Sequence, residues 1–171
     1  EELYARRREE LKKWYALRKE EESIWRAANK ELAAKLDQFL SGKAPDIDYA
    51  KINCGDNVAT RAASAAVLSY LAEHVENMIV ASADLRNSAK TDGFLKKTPA
   101  LVQGDFTARL LQPCVAEFTL DCIMHGMALH CGVIPARRPF LVFSDYTKPA
   151  SRTPALPRPP PHYARSPAPL P

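Results

Sequence analysis

Hydrophobic residues recur loosely at helical spacing among many charged residues over the first 40 positions of the chain. The pattern predicts one long helix or two, and Gly42 follows as a helix-ending residue. The apolar positions are Leu3, Leu11, Trp14, Ile24, Trp25, Leu32, Leu36, Phe39 and Leu40. Because so sparse a stripe cannot bury itself, we expect this helical arm to lie against another domain.

Helices and strands are predicted to alternate in the middle of the chain. Residues 59–78 form a compact helix with Thr60 as a candidate cap, and its apolar face consists of Ala63, Ala66, Val67, Leu71 and Val75. A short buried strand follows over residues 78–84, and its C-terminal end delivers Asp84 into a loop. Since ligands gather at the carboxyl ends of strands in open α/β sheets, this loop is a candidate site.

The alternation continues after a long polar connection at residues 85–109, which by its composition favours function over packing. A second helix is predicted to start near Glu117 and to be closed by Gly132. The segment "PFLVFSD", residues 139–145, is predicted as the next strand, with a further helix expected near Lys148.

This order of elements predicts an α/β fold, a three-layer sandwich with a largely parallel sheet, preceded by the long helical arm. The predicted boundaries are residues 1–45 for the arm and interdomain linker, 50–150 for the sheet domain and 151–171 for a tail. Nine of the fourteen prolines lie from Pro149 onward. A run so rich in proline cannot be helical, so the tail is predicted to be disordered.

Charge and cysteine usage narrow the function classes. The net charge of +4 is spread along the chain, without a basic stripe interleaved with aromatic residues, which argues against a nucleic-acid partner. No apolar run approaches the roughly 20 residues that span a bilayer, and the charged N-terminus is unlike a signal peptide. We therefore expect no membrane partner, a cytoplasmic location and reduced thiols at the four cysteines.

Cysteine and histidine side chains crowd the second predicted helix, at Cys122, His125, His130 and Cys131. Cys122 and His125 share a helix face, three residues apart. No ligand pair of structural-zinc spacing accompanies them. The pattern therefore favours a cysteine and a histidine in the core over a zinc site.

Three aromatic residues, Phe140, Phe143 and Tyr146, stand at three-residue spacing beside the acidic Asp145. A strand repeats every two residues, so these side chains cannot share one face of a regular strand. On the residues alone, a buried strand with an interfacial tyrosine remains the simpler interpretation. The spacing nevertheless indicates that something other than sheet packing can set these positions.

Four segments, taken together and in order, resemble the pyrimidine-binding domain of transketolase, a thiamin diphosphate enzyme. They are "ATRAAS" at 59–64, "ASADLRNSAKT" at 81–91, "CVAEFTLDCIMHGMALHCGVIP" at 114–135 and "FLVFSDYTKPASR" at 140–152. The resemblance runs from about Leu3 to about Leu156, and the helical arm is similar to that family's linker.

The resemblance implies an enzyme that transfers a two-carbon ketol unit between ketose and aldose phosphates in the pentose phosphate pathway. It implies that Glu117 is catalytic and hydrogen-bonds a ring nitrogen of the cofactor's aminopyrimidine. It also implies that Phe140, Phe143 and Tyr146 wall the cofactor pocket, since a stacked ring needs a dry aromatic slot.

Further roles follow from the same resemblance. Arg61 and Ser88 match positions that bind the substrate phosphate, and Asp84 matches an acid near the cofactor and the subunit contact. Thiamin diphosphate would be gripped through magnesium by a diphosphate-binding domain of a second subunit in a homodimer. We therefore expect the 171-residue chain to be inactive alone.

The chain departs from the family pattern at two places, and other functions stay open. Cys114 stands where a glycine is usual, and Arg137, Arg138 and Pro139 replace small residues near the mouth of the expected slot. One alternative is another thiamin diphosphate enzyme, such as deoxyxylulose-phosphate synthase or a 2-oxoacid dehydrogenase subunit. A second is a non-catalytic interaction module that docks through the arm and the proline-rich tail.

Overall fold

The computed structural model describes residues 1–83, 92–137, 143–152 and 162–163, with the side chains of Asp92, Leu95, Tyr146, His162 and Tyr163 excepted. The chain divides into two compact units, Glu1–Ser41 and Gly42–Pro171. The first is helical, and the second contains the sheet.

The helical arm consists of α1 (Glu2–Ala28) and α2 (Lys30–Leu40), separated by Asn29 in a non-helical conformation. Helix α1 has no buried residue, and α2 has one, Ala33. The helices are linked by Arg26, whose guanidinium contacts the carboxylate of Asp37 at 2.9 Å. The prediction of one long helix or two is thus confirmed as two, and Gly42 follows them with φ +68°.

Four parallel strands form the sheet of the second unit. They are β1 (Met78–Ala81), β2 (Leu110–Leu111), β3 (Ile134–Arg137) and β4 (His162–Tyr163), in the order β2-β1-β3-β4. In register, Val80 of β1 lies opposite Leu110 of β2 and Ala136 of β3. The prediction of a largely parallel sheet is confirmed.

Helices cover both faces of this sheet, and alternate residues of β1 show which helix lies on which side. The helices are α3 (Thr60–His74), α4 (Asp92–Leu95), α5 (Glu117–His130) and α6 (Ser144–Arg152). Val80 packs in one cluster with Leu68 of α3 and Phe94 of α4. Ala81 packs in a second cluster with Leu120 and Met124 of α5. The second unit is therefore a three-layer α/β/α sandwich, as the sequence predicts.

The amino edge of the sheet is tied by backbone and side-chain hydrogen bonds. The Asn77 side-chain amide donates to the Gly132 carbonyl at 3.0 Å, and the Ile134 amide donates to the Asn77 carbonyl at 2.9 Å. These bonds join the turn before β1 to the turn before β3. They fix where two central strands begin.

The predicted strand at residues 139–145 is wrong over its described part. Ser144 begins helix α6, four residues before the helix start expected near Lys148, and a strand that the sequence does not predict lies at Ile134–Arg137. The proline and arginine in "IPAR" are not typical of a buried strand. Within this strand, the buried Arg137 is paired with an acidic residue, Asp121.

Three smaller expectations also differ from the structure. Thr60 is the first helical residue rather than a cap, since Ala59 occupies the cap position and α3 has no side-chain cap hydrogen bond. The polar connection at 85–109 contains helix α4 and the fully buried Phe94. Four residues of the predicted disordered tail belong to regular elements, since Ser151 and Arg152 end α6 and His162 and Tyr163 form β4. No helix among the described residues is long and apolar enough to cross a bilayer.

Candidate functional site

The carboxyl ends of the parallel strands meet at one edge of the sheet. Strand β1 ends at Ala81, β2 at Leu111 and β3 at Arg137. Ser82 and Ala83 continue from β1 as buried residues. Open α/β sheets bind ligands outside this edge, because the connections that leave it are the ones free to vary.

Glu117 is the acidic residue that this arrangement buries. It is the first residue of α5, only 5% exposed, and the chain reaches it within six residues of the end of β2. Within the described part of the chain, its carboxylate has no hydrogen-bond partner. Buried polar groups in proteins are normally paired, so this carboxylate is available to a ligand.

The backbone just before Glu117 is strained. Cys114 has φ +59°, in the left-handed region that glycine adopts freely and that costs other residues about 1 kcal/mol or more. Its thiol is exposed and free. This conformation suits a glycine, the residue expected here from the family resemblance. Cys114 adopts it at a cost in backbone strain.

Of the three predicted aromatic walls, only Phe143 has a described side chain. It is half-buried and lies immediately before α6, which packs against α5. Phe140 and the side chain of Tyr146 lie outside the described residues. The enclosing aromatic slot therefore stays a prediction.

The residues predicted to bind phosphate and to line the cofactor are only partly described. Arg61 is exposed in the first turn of α3. Helix α3 packs closely on α4, since a Cβ at Gly93 would lie 2.9 Å from the Ala65 carbonyl oxygen. The last turn of α3 is bonded to Arg109, just before β2 begins, so the first turn with Arg61 points toward the carboxyl edge. Asp84 and Ser88 fall outside the described residues.

A buried ion pair at the same edge is not predicted by the sequence. Arg137, 2% exposed, pairs with Asp121 of α5, which is fully buried. The Ser151 hydroxyl of α6 donates to the Asp121 carboxylate at 3.2 Å. Arg137 is therefore not a free guanidinium at the mouth of a slot. An acid within the apolar run of α5 is the one signal of the pair in the sequence, because buried charges require partners.

Arg109, to which the sequence gives no role, stabilises the opposite edge. Its guanidinium donates to the carbonyls of Val75 at 2.7 Å and Ala72 at 2.6 Å. It also lies 5.5 Å from the centre of the Phe94 ring. The last turn of α3, whose carbonyls lack helical partners, is thereby capped.

The cysteine and histidine of α5 have different environments. His125 is 8% exposed, and burial lowers its pKa below the ordinary value. Cys122 is exposed, so its predicted place in the core is wrong. Among the residues described, no three His, Cys, Asp or Glu side chains form a group that could hold a metal ion.

The fold and this edge define a class of protein: an open, parallel α/β domain whose carboxyl edge carries a buried acidic residue at a helix N-terminus. The family model described as transketolase, pyrimidine binding domain, matches residues 56–159. The chain belongs to this family.

Individual relatives agree with the family match. Transketolase of Geobacillus stearothermophilus is 36% identical over 129 residues, which cover 74% of this chain and 19% of the relative. Transketolase of Aquifex aeolicus is 41% identical over 106 residues, covering 59% and 14%. The solved transketolase of Leishmania mexicana superposes with a TM-score of 0.69 and 27% identity, covering 76% of this chain and 20% of that one. The chain thus spans about a fifth of the length of these relatives or less.

Proposed function

We propose that the chain supplies the aminopyrimidine-binding part of a transketolase site. The whole enzyme moves a two-carbon ketol unit from a ketose phosphate to an aldose phosphate, in the pentose phosphate pathway. The observation that carries the proposal is Glu117, a buried carboxylate without a partner among the described residues, in a chain of the transketolase family. Similarity to a Pichia stipitis transketolase solved with sedoheptulose-7-phosphate, at TM-score 0.67 and 31% identity, supports the substrate class.

The residues present fit a cofactor with a protonatable ring. A buried carboxyl group that lacks a protein partner can hold a proton against a ring nitrogen, and its pairing with a ligand satisfies it. Phe143 stands half-buried beside α6 and offers an apolar wall. When bound, thiamin diphosphate supplies a nucleophilic carbon and an electron sink.

The other roles are extensions of this proposal. Phe140 and Tyr146 complete the aromatic wall with Phe143 and keep water out, and Asp84 lies beside the cofactor. Arg61 and Ser88 bind the substrate phosphate, because a guanidinium supplies charge and a hydroxyl supplies a further hydrogen bond.

The diphosphate and its magnesium ion belong, in this proposal, to a different domain contributed by a second subunit. This chain provides the pyrimidine side only, so it does not catalyse ketol transfer alone. Activity requires both parts, with each side of the cofactor held by a different domain.

The test combines the 171-residue chain with the separately produced diphosphate-binding domain of Geobacillus stearothermophilus transketolase. Thiamin diphosphate binding is measured by calorimetry in the presence of magnesium, and ketol transfer by a coupled assay. We expect binding and transfer from the mixture and no transfer from either part alone. Glu117→Gln lowers kcat roughly 10²–10⁴-fold, the usual contribution of a proton-transferring side chain.

The matched control is Glu73→Gln, the same chemical change at an exposed site on α3. It leaves kcat unchanged, because Glu73 only pairs with Lys97 at the surface. A mixture that binds no thiamin diphosphate contradicts the proposed function. Transfer by the chain alone contradicts the division of the site between two domains.

A further inference from the structure

Three structural elements meet at the carboxylate of Asp121. Arg137 approaches it from the end of β3, and the Ser151 hydroxyl of α6 donates to its Oδ2 at 3.2 Å. Asp121 is fully buried and the Arg137 side chain is 2% exposed. The carboxylate therefore joins α5 to β3 by an ion pair and to α6 by a hydrogen bond.

The sheet register explains why Arg137 reaches α5. Arg137 lies opposite Ala81 in the parallel pairing of β1 and β3, so the two side chains leave the same face of the sheet. Ala81 packs on that face against Leu120 and Met124 of α5. The ion pair is thus a polar member of an otherwise apolar layer between the sheet and α5.

Glu117 and Asp121 are one helical turn apart. Residues four apart lie on the same helix face, so the position of Asp121 sets that of Glu117. In the N-terminal turn of α5, Leu120 packs against Ala81, but the start of the turn has no side-chain cap. Its cap residue, Ala116, makes no side-chain cap bond, and Phe118 is 44% exposed.

A buried ion pair is a poor source of stability, because a well-packed apolar pair of similar volume often stabilises a fold equally well. What an apolar pair cannot supply is direction. An ion pair from β3 and a hydrogen bond from α6, both to one carboxylate, restrict the rotation and the axial position of α5. The ion pair is therefore suited to holding a register rather than to adding stability.

We propose that Arg137, Asp121 and Ser151 form a positioning device that fixes the first turn of α5, and with it the Glu117 carboxylate, at the carboxyl edge of the sheet. Arg137 and Asp121 are positioning residues, not catalytic ones. The purpose of the device rests on the proposed function, since only a cofactor gives the placement of Glu117 its consequence. The mechanical part concerns this chain alone.

The principal experiment compares the wild-type chain with the double variant Asp121→Leu/Arg137→Met, by amide hydrogen exchange measured with NMR. The probe is the Leu120 amide, which donates to the Ala116 carbonyl at 2.8 Å in the first turn of α5. We expect its protection to fall about tenfold or more while amides of α3 keep theirs, since local opening is separable from global unfolding. A merely structural role changes both helices together.

A second measurement tests the consequence for the cofactor, in the mixture with the diphosphate-binding domain. We expect the double variant to lose roughly tenfold to a hundredfold in kcat, because small misplacements of a reacting group are costly, with the KM for sugar phosphate unchanged. The single variant Arg137→Lys, which keeps the charge, retains more Leu120 protection than Arg137→Met. Glu73→Gln again serves as the control.

The outcomes separate the two proposals. Native protection at Leu120 in the double variant overturns the positioning device, whatever the cofactor does. Absence of thiamin diphosphate binding by the wild-type mixture overturns the proposed function but leaves the exchange comparison valid. If the double variant does not fold, Ser151→Ala decides instead, and unchanged exchange at Leu120 in that variant overturns the device.

Discussion

The helical arm and the sheet domain are stabilised by different kinds of interaction. The arm buries one residue, Ala33, and its charged side chains pair along the helix surface, as in Arg7–Glu10 and Lys12–Glu9. The domain has two apolar clusters around β1 and a buried ion pair. Surface pairs contribute a few tenths of a kcal/mol each, whereas a buried side chain contributes about 1.5–3 kcal/mol.

Because their stabilising interactions differ, the two units respond to different conditions. The stabilisation of the arm is electrostatic, exposed and therefore screened by salt. That of the domain is apolar and responds to loss of volume. Both tryptophans, Trp14 and Trp25, lie in the arm, so tryptophan fluorescence reports on the arm while the exchange of β1 amides reports on the domain.

The largest expected effect is on the domain core. Phe94→Ala removes a fully buried ring from the cluster around Val80, and we expect a loss of about 3–5 kcal/mol in the free energy of unfolding. Urea titration followed by β1 amide exchange measures it. The matched control is Phe106→Ala, at a side chain 91% exposed, where we expect a change within about 0.5 kcal/mol. Equal losses in the two variants contradict the assignment of Phe94 to the core.

A smaller loss is expected when the cap on α3 is removed. Arg109→Gln leaves the carbonyls of Ala72 and Val75 without their charged donor, at a cost of about 1.5–3 kcal/mol. Urea unfolding of the domain checks this. The control is Arg61→Gln, at an exposed arginine of α3, where we expect the free energy of unfolding to change by less than about 0.5 kcal/mol. If both arginine variants unfold alike, the cap is not the cause.

Salt separates the arm from the domain without any mutation. Raising the sodium chloride concentration from about 0.05 M to about 1 M shortens the screening length several-fold and weakens exposed pairs such as Arg18–Glu21 and Lys12–Glu9. We expect the helix signal and tryptophan fluorescence of the arm to shift while the β1 amides keep their protection. If salt instead lowers the protection of the domain amides and leaves the helix signal of the arm unchanged, the expectation is contradicted.

The pH dependence of the two units is expected to begin in different ranges. In the arm, hydrogen bonds from Lys19 and then Arg26 hold the pKa of Glu22 below its ordinary value. Folding therefore favours the carboxylate, so this stabilisation is present above the ordinary glutamate pKa and is lost as the pH falls through the lowered one. Fluorescence of the arm follows it, and Glu22→Gln abolishes the step.

In the domain, burial lowers the pKa of His125 from its ordinary value of 6.5. The folded state favours the neutral ring, so stability decreases as the pH falls from about 6.5 toward the lowered pKa. Domain amides therefore lose protection at a higher pH than the arm loses helix. His125→Gln removes this loss of protection in the domain, and its persistence in that variant assigns it to another group.

The sequence predicts the fold where apolar patterning and packing agree. Helix α5 begins at Glu117 as expected, since an apolar run follows an acid suited to a helix N-terminus. The parallel sheet follows from the alternation of elements. What fails is the strand assignment over residues 143–145, since α6 begins at Ser144. The strand "IPAR" is missed because its residues have a low strand propensity and its pairing with Asp121 is visible only in three dimensions.

The candidate site is predictable to a different extent. Glu117 is indicated by the family resemblance, and its burial does not follow from "VAEF" alone. The Asp121–Arg137 pair joins residues sixteen positions apart, so no local pattern records it. The burial of Phe94 is not predicted, because it stands in a segment rich in polar residues. Composition describes the whole segment, whereas burial concerns one side chain.

The ties at the amino edge of the sheet, Asn77 with Gly132 and Arg109 with the end of α3, have a consequence for how the domain can change. They place bonds that maintain the fold at one end of the domain, away from the end proposed for the chemistry. A library randomised only in the connections that leave the carboxyl edge should thus yield new ligand preferences with a high share of intact proteins. Both natural and engineered substitutions are therefore tolerated in these connections, because the bonds that maintain the fold lie at the amino edge of the sheet.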